Sequence, residues 1–216
     1  EEEGKVEIIW NSQASVRVYC SDNIEDQGLI RLLKKKYILA SKKEENDQND
    51  EKTKDLEFLK ALELRFLDGD QMTDKELKSL CSEGFQYLKS LTVLSLSFEE
   101  YSNIRDKGLE YLFSQGIQNL TLLTHLSLNF NKCLKITDEG LIILSDKGFQ
   151  KLNSLTHLDL SFRRSQEITD QGLGYLCSQG IQHLTLLTYL SLNFEDLEKV
   201  TDEGLKILSD KGFQNL

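Results

Sequence analysis

An apolar pattern recurs every 32 residues along this chain, and that recurrence limits the fold more than any other feature. Five segments read LxxLxLxF. They begin at Leu59, Leu91, Leu123, Leu155 and Leu187, in one register with no insertion between them. A second motif keeps the same spacing: MTDKEL from Met72, IRDKGL from Ile104, ITDEGL from Ile136, ITDQGL from Ile168 and VTDEGL from Val200, with a degenerate copy, IEDQGL, from Ile24. Glycine follows at Gly84, Gly116, Gly148, Gly180 and Gly212. Copies ending in EGFQ or KGFQ alternate with copies ending in QGIQ. TDEGLIILSDKGFQKL and TDEGLKILSDKGFQNL differ only at Ile142/Lys206 and Lys151/Asn215, the mark of recent internal duplication. Recurrence of a residue is therefore weak evidence of function in this chain.

Each unit reads as strand, loop, helix and return. HLSLNF alternates with the period of a strand, sending Leu126, Leu128 and Phe130 one way and His125, Ser127 and Asn129 the other. Stacked copies predict a parallel sheet. The leucines, with Phe66, Phe98, Phe130, Phe162 and Phe194, form its internal columns. Leu141 and Leu144 give the helix an apolar stripe. Thr or Asp is expected to cap each helix: Asp26, Asp74, Asp106, Asp138, Asp170 and Asp202 occupy one column, where a carboxylate suits the helix N-terminus, and Thr73 to Glu76 fits a capping box. Gly84, Gly116, Gly148 and Gly180 predict left-handed helix C-caps. Units of this kind bury their apolar faces mainly against their neighbours, so the expected architecture is an α/β solenoid, curved like a horseshoe, with a concave sheet and convex helices.

The pattern LxxLxL…ITDxGLxxL…G resembles leucine-rich-repeat proteins. It is most similar to the ribonuclease-inhibitor type and to the cysteine-containing type found in F-box substrate receptors. The resemblance covers residues 56–216 strongly and 14–40 weakly. The 32-residue repeat is longer than the usual ~20–29, and Phe stands after the strand where many members carry Asn or Cys. The resemblance implies a protein-binding scaffold whose concave face takes the partner. No adaptor-binding helical segment of the F-box kind is visible.

The ends differ from the array. Residues 1–23 alternate as Val6, Ile8, Trp10 and Val16, Val18, Cys20, predicting a β-hairpin that caps the open edge of the sheet. Residues 24–58 read as a degenerate first repeat, with a helix over Asp26 to Leu39 and a charged insertion near 41–55 that lacks large apolar residues. Residues 59–216 hold five repeats, the last incomplete. Leu216 falls where another strand is expected, which predicts a piece of a longer array.

Composition narrows the function classes. A net charge of −10 opposes binding to phosphate backbones, so no nucleic-acid partner is expected. No apolar run approaches the roughly 20 residues that span a bilayer. The four cysteines, Cys20, Cys81, Cys133 and Cys177, form no CxxC and no terminal cluster, which predicts reduced thiols and an intracellular, cytoplasmic setting. No nucleophile-elbow, zinc-protease, phosphate-loop or dinucleotide motif occurs, so neither catalysis nor a cofactor is expected. The expected function is a non-catalytic protein–protein interaction scaffold. The alternatives are the substrate-recognition arm of a ubiquitin-ligase receptor or an architectural element of a large assembly.

The expected partner-binding residues lie on the concave strand positions: Val93, His125, Asn129, His157, Asp159, Tyr189 and Asn193. An ordinary solvated sheet face is the competing reading. His125 and His157 fall on adjacent strands with Asp159 nearby, but no third ligand has clear geometry, so no metal site is expected. Arg163 and Arg164, with Glu167 close in sequence, read as a salt-bridged loop.

Overall fold

The structure is a computed structural model describing residues 6–11, 15–21, 59–67, 72–100 and 103–212. The expected degenerate repeat of 24–58, its helix and its charged insertion lie outside the described residues. A seven-stranded sheet runs in chain order: β1 Val6–Asn11, β2 Ser15–Ser21, β3 Ala61–Leu67, β4 Val93–Ser97, β5 His125–Asn129, β6 His157–Ser161 and β7 Tyr189–Asn193. Strands β1 and β2 are antiparallel, and every later pairing, from β2 onto β3 through to β7, is parallel. Register follows the repeat: Val93, His125, His157 and Tyr189 are successive partners.

Five helices alternate with the strands: α1 Asp74–Ser79, α2 Asp106–Tyr111, α3 Asp138–Ile143, α4 Asp170–Tyr175 and α5 Asp202–Ile207. Each widens into a π-helical turn, and the first four then tighten into a 3-10 turn before the next strand. The chain is thus an α/β solenoid, with a parallel sheet on its concave side and helices on its convex side.

The core is a set of columns. Leu94, Leu126 and Leu158, then Leu96, Leu128 and Leu160, are buried beneath the sheet, and Leu109, Leu141 and Leu173 back them from the helices. Phe66, Phe98, Phe130, Phe162 and Phe194 stack face to face, with centroids 5.0 to 6.1 Å apart. One further polar rung survives beside them. Cys133 Sγ donates to the carbonyl of Phe98, and Ser165 Oγ to that of Phe130.

Two expectations require correction. The aspartate column does not cap its own helices. Thr73, Thr137, Thr169 and Thr201 do so, each hydroxyl accepting the backbone N–H two residues on, and Thr73 closes a capping box with Glu76. Asp74, Asp106, Asp138 and Asp170 reach instead into the next repeat. Asp138 accepts from Thr169 N–H at 2.8 Å and from Thr169 Oγ1 at 2.7 Å. Asp106 does the same with Thr137, and Asp170 with Thr201, while Asp74 takes only the backbone N–H of Arg105. These aspartates are clamps between repeats, each lying over a glycine. A Cβ on Gly172 would stand 2.2 Å from Asp138 Oδ1, and one on Gly140 2.7 Å from Asp106 Oδ1. Asp202, also expected as a cap, occupies the first position of α5 behind the capping residue Thr201.

The second correction concerns Gly84, Gly116, Gly148 and Gly180. None is a left-handed C-cap. Their φ values are −101°, −99°, −90° and −105°, inside a helical path that continues past them. Close approach of the preceding repeat explains the glycine at Gly116, Gly148 and Gly180. A Cβ on Gly148 would stand 2.6 Å from the Phe113 ring, and one on Gly180 2.7 Å from Ser145 Oγ. The left-handed backbone lies elsewhere, at Glu100, Lys132, Arg164 and Asp196, one column of the loop after each strand.

Candidate functional site

The outward side chains of the parallel strands form the concave surface, and their order follows from the period of two along each strand. The first column is Ala61, Val93, His125, His157 and Tyr189. The His125 and His157 rings stack at 4.0 Å with planes 15° apart, and Tyr189 continues the stack at 5.5 Å from His157. Backbone pairing sets these spacings. Tyr189 remains 53% exposed.

A second ladder fixes the rings. Thr92, Thr124, Thr156 and Thr188 precede the strands, and each hydroxyl donates to a carbonyl of the preceding repeat at 3.0 to 3.2 Å. Thr124 Oγ1 is also 2.8 Å from His125 Nδ1, and Thr156 Oγ1 is 2.9 Å from His157 Nδ1. The hydroxyl–imidazole contact holds each ring beside its threonine and leaves Nε2 clear of it. Burial, and secondly the neighbouring His157, hold the His125 imidazole below its ordinary pKa. Among the described residues no three His, Cys, Asp or Glu side chains cluster as metal ligands.

The next column is Glu63, Ser95, Ser127, Asp159 and Ser191. Glu63 is engaged by Arg17 at 2.5 Å and Arg65 at 2.7 Å. Asp159 accepts one hydrogen bond, from Ser127 Oγ at 3.0 Å. In the third column Asn129 and Asn193 are partly committed to the backbone: each side-chain oxygen accepts the N–H two residues on, at 2.9 and 3.0 Å, and so turns the chain out of the strand. The structure therefore brings Val93, His125, His157, Asp159 and Tyr189 onto one continuous face and puts the carbonyl side of both asparagines to structural use.

At the rim, Arg163 and Arg164 do not pair with Glu167. They reach across to the next loop, Arg163 to Glu195 and Asp196, and Arg164 to Asp196, while Glu167 pairs with Lys199. The sheet hydrogen bonds run on through these loops: Glu100 N–H donates to the carbonyl of Asn131, Lys132 to Arg163 and Arg164 to Glu195. The rim is thus an extension of the sheet, which the residue types of the loops do not announce. Cys81, Cys133 and Cys177 are buried thiols outside any disulfide. Burial pushes the thiol of Cys81 up to about 12 and that of Cys177 up to about 11.

The strand-and-helix unit of 32 residues, stacked in chain order on a parallel sheet, is decisive for the architecture. It is an α/β solenoid of leucine-rich-repeat-like units. No family model matches the chain, and no curated protein does. Among solved structures, a chain in the crystal structure of the Rad7 and Elc1 complex in yeast is 20% identical, with a TM-score of 0.47. The match covers 72% of this chain and 41% of that one, so this chain spans less than half the length of the protein it matches. Among the described residues no helix is long and apolar enough to cross a membrane.

Proposed function

We propose that this chain is a non-catalytic scaffold that binds a protein partner on its concave strand face. One observation carries the reading. The column His125, His157 and Tyr189 is stacked and, at both histidines, held by hydrogen bonds to a threonine ladder. Such side chains are ordered before any partner arrives, so little rotamer entropy is lost on association. An ordinary solvated face would need no such order. The strands β1 and β2 act in this reading as the cap of the sheet edge. The buried thiols, outside any disulfide, favour a reducing, intracellular setting.

The test is quantitative affinity capture from the source cells with the native chain and with His125→Ala/His157→Ala/Tyr189→Ala. The triple variant keeps every buried column, so its circular dichroism and denaturation midpoint should stay near native. Proteins enriched by the native chain and lost by the folded variant support the face. Identical enrichment by both would overturn it.

The substrate-recognition arm of a ubiquitin-ligase receptor is the narrower form of the same proposal. It requires that the captured set include an adaptor or ligase subunit. An architectural role requires instead a stoichiometric partner held by the helices or loops.

A further inference from the structure

Asp159 is the one outward carboxylate on strands β3–β7 that no Lys or Arg among the described residues pairs with. Glu63, the other outward carboxylate, is engaged by two arginines. Asp159 has a single partner, the Ser127 hydroxyl. Its neighbours are short. Ser127 and Ser191 are its register partners on β5 and β7, and Ser161 lies two residues on along its own strand. A bulky group can therefore reach the carboxylate without displacing a side chain.

No Lys or Arg stands at the outward positions of β5, β6 and β7. His125 and His157 each engage a threonine hydroxyl through Nδ1 and keep Nε2 clear of it. His157 and Asp159 lie two residues apart on one face, about 6.6 Å along the strand. Tyr189, half exposed, offers an aromatic surface beside them. The chain as a whole carries a net charge of −10.

We propose that this patch seats an arginine side chain of the protein partner, its guanidinium paired with Asp159 and donating to the imidazole nitrogens beside it. The proposal rests on the concave face being the binding surface. The match is one of inventory and shape. A guanidinium carries five N–H donors and no acceptor, in a plane that forks onto a carboxylate. Its remaining donors suit neighbouring acceptors, and its flat face suits an aromatic ring. A lysine ammonium is a compact point charge that satisfies the carboxylate but not this geometry. An acidic segment would meet an unneutralised carboxylate.

The experiment is an NMR titration of the isotope-labelled chain with two short peptides, acetyl-Gly-Arg-Gly-amide and acetyl-Gly-Lys-Gly-amide. The arginine peptide should move the resonances of Asp159, the His157 ring and the Tyr189 ring, and it should bind more tightly than the lysine peptide. Asp159→Asn keeps the shape and removes the charge, so it should weaken arginine binding roughly tenfold. Equal binding of both peptides, shifts centred on Glu195 and Asp196 instead, or an unchanged affinity in Asp159→Asn would overturn the proposal. Partner capture separates this idea from the one beneath it. If the His125/His157/Tyr189 triple variant loses the partner and Asp159→Asn keeps it, the face stands and the arginine site falls. If neither variant loses it, both fall.

Discussion

Exchanging Gly172 for alanine should change sign with the residue at position 138. In α4 a helical glycine is worse than alanine by about 0.5–1 kcal/mol, so the exchange alone should stabilise. The clamp reverses this. The new Cβ would stand 2.2 Å from Asp138 Oδ1 and 2.7 Å from its Cγ, far inside contact distance. Asp138 must withdraw, losing Thr169 N–H at 2.8 Å and Thr169 Oγ1 at 2.7 Å. Hydrogen bonds to a charged acceptor contribute about 1.5–3 kcal/mol each, and the low end suits this half-exposed site, so the pair is worth about 3 kcal/mol. The net expectation for Gly172→Ala is a loss of about 2–2.5 kcal/mol. In an Asp138→Ala background only the Cβ at 3.1 Å remains, and the same exchange should stabilise by at most about 0.5–1 kcal/mol. Urea denaturation of the four proteins in this cycle, followed by circular dichroism, measures the coupling. An effect of Gly172→Ala with the same sign and size in both backgrounds would refute the clamp.

Other consequences follow from the same columns. Lys132 sits at φ 60°, so Lys132→Val should destabilise by about 1–2 kcal/mol while Lys132→Gly is close to neutral, measured by the same denaturation. The Thr201 hydroxyl, and after it the Thr201 amide, hold the Asp170 carboxyl below its ordinary value. A depressed pKa contributes stability above the ordinary carboxylate value and loses it as pH falls through the folded value. Asp170→Asn should therefore flatten the fall in denaturation midpoint between neutral pH and pH 3. Cys81 and Cys177, with thiols pushed up to about 12 and about 11, should resist maleimide in the folded chain at pH 7.5 and label fully in urea. Labelling of either at the rate of a free thiol would contradict their burial.

The strand and core columns were legible because their signals are local. Leu126, Leu128 and Phe130 alternate within six residues, and the period of 32 then stacks them. The glycines and aspartates were misread because their reasons lie one repeat away. Asp138 follows a threonine at a helix start and so looks like a cap, yet its partner is Thr169. Gly148 follows a helical stretch and so looks like a C-cap, yet what excludes a Cβ is Phe113, 35 positions earlier. One clue was present. Glu76 stands where later copies carry Gly108, Gly140, Gly172 and Gly204, and there it closes a capping box with Thr73. At the concave face, sequence placed the histidines side by side. The threonine contacts that hold the rings required coordinates, because Thr124 and His125 are neighbours in every conformation but hydrogen-bonded only in this one.

Hydroxyl-radical footprinting of the chain, alone and in complex with its captured partner, tests the concave-face assignment most directly, because reactive rings lie on both sides of the solenoid. Tyr189, His125 and His157 report the strands, and Tyr111 and Tyr175 report the helices. Partner binding should protect the three strand-side residues and leave the two helix tyrosines unchanged. Protection of Tyr111 and Tyr175, with Tyr189 and both histidines as reactive as in the free chain, would place the partner on the helical side and contradict the proposed function.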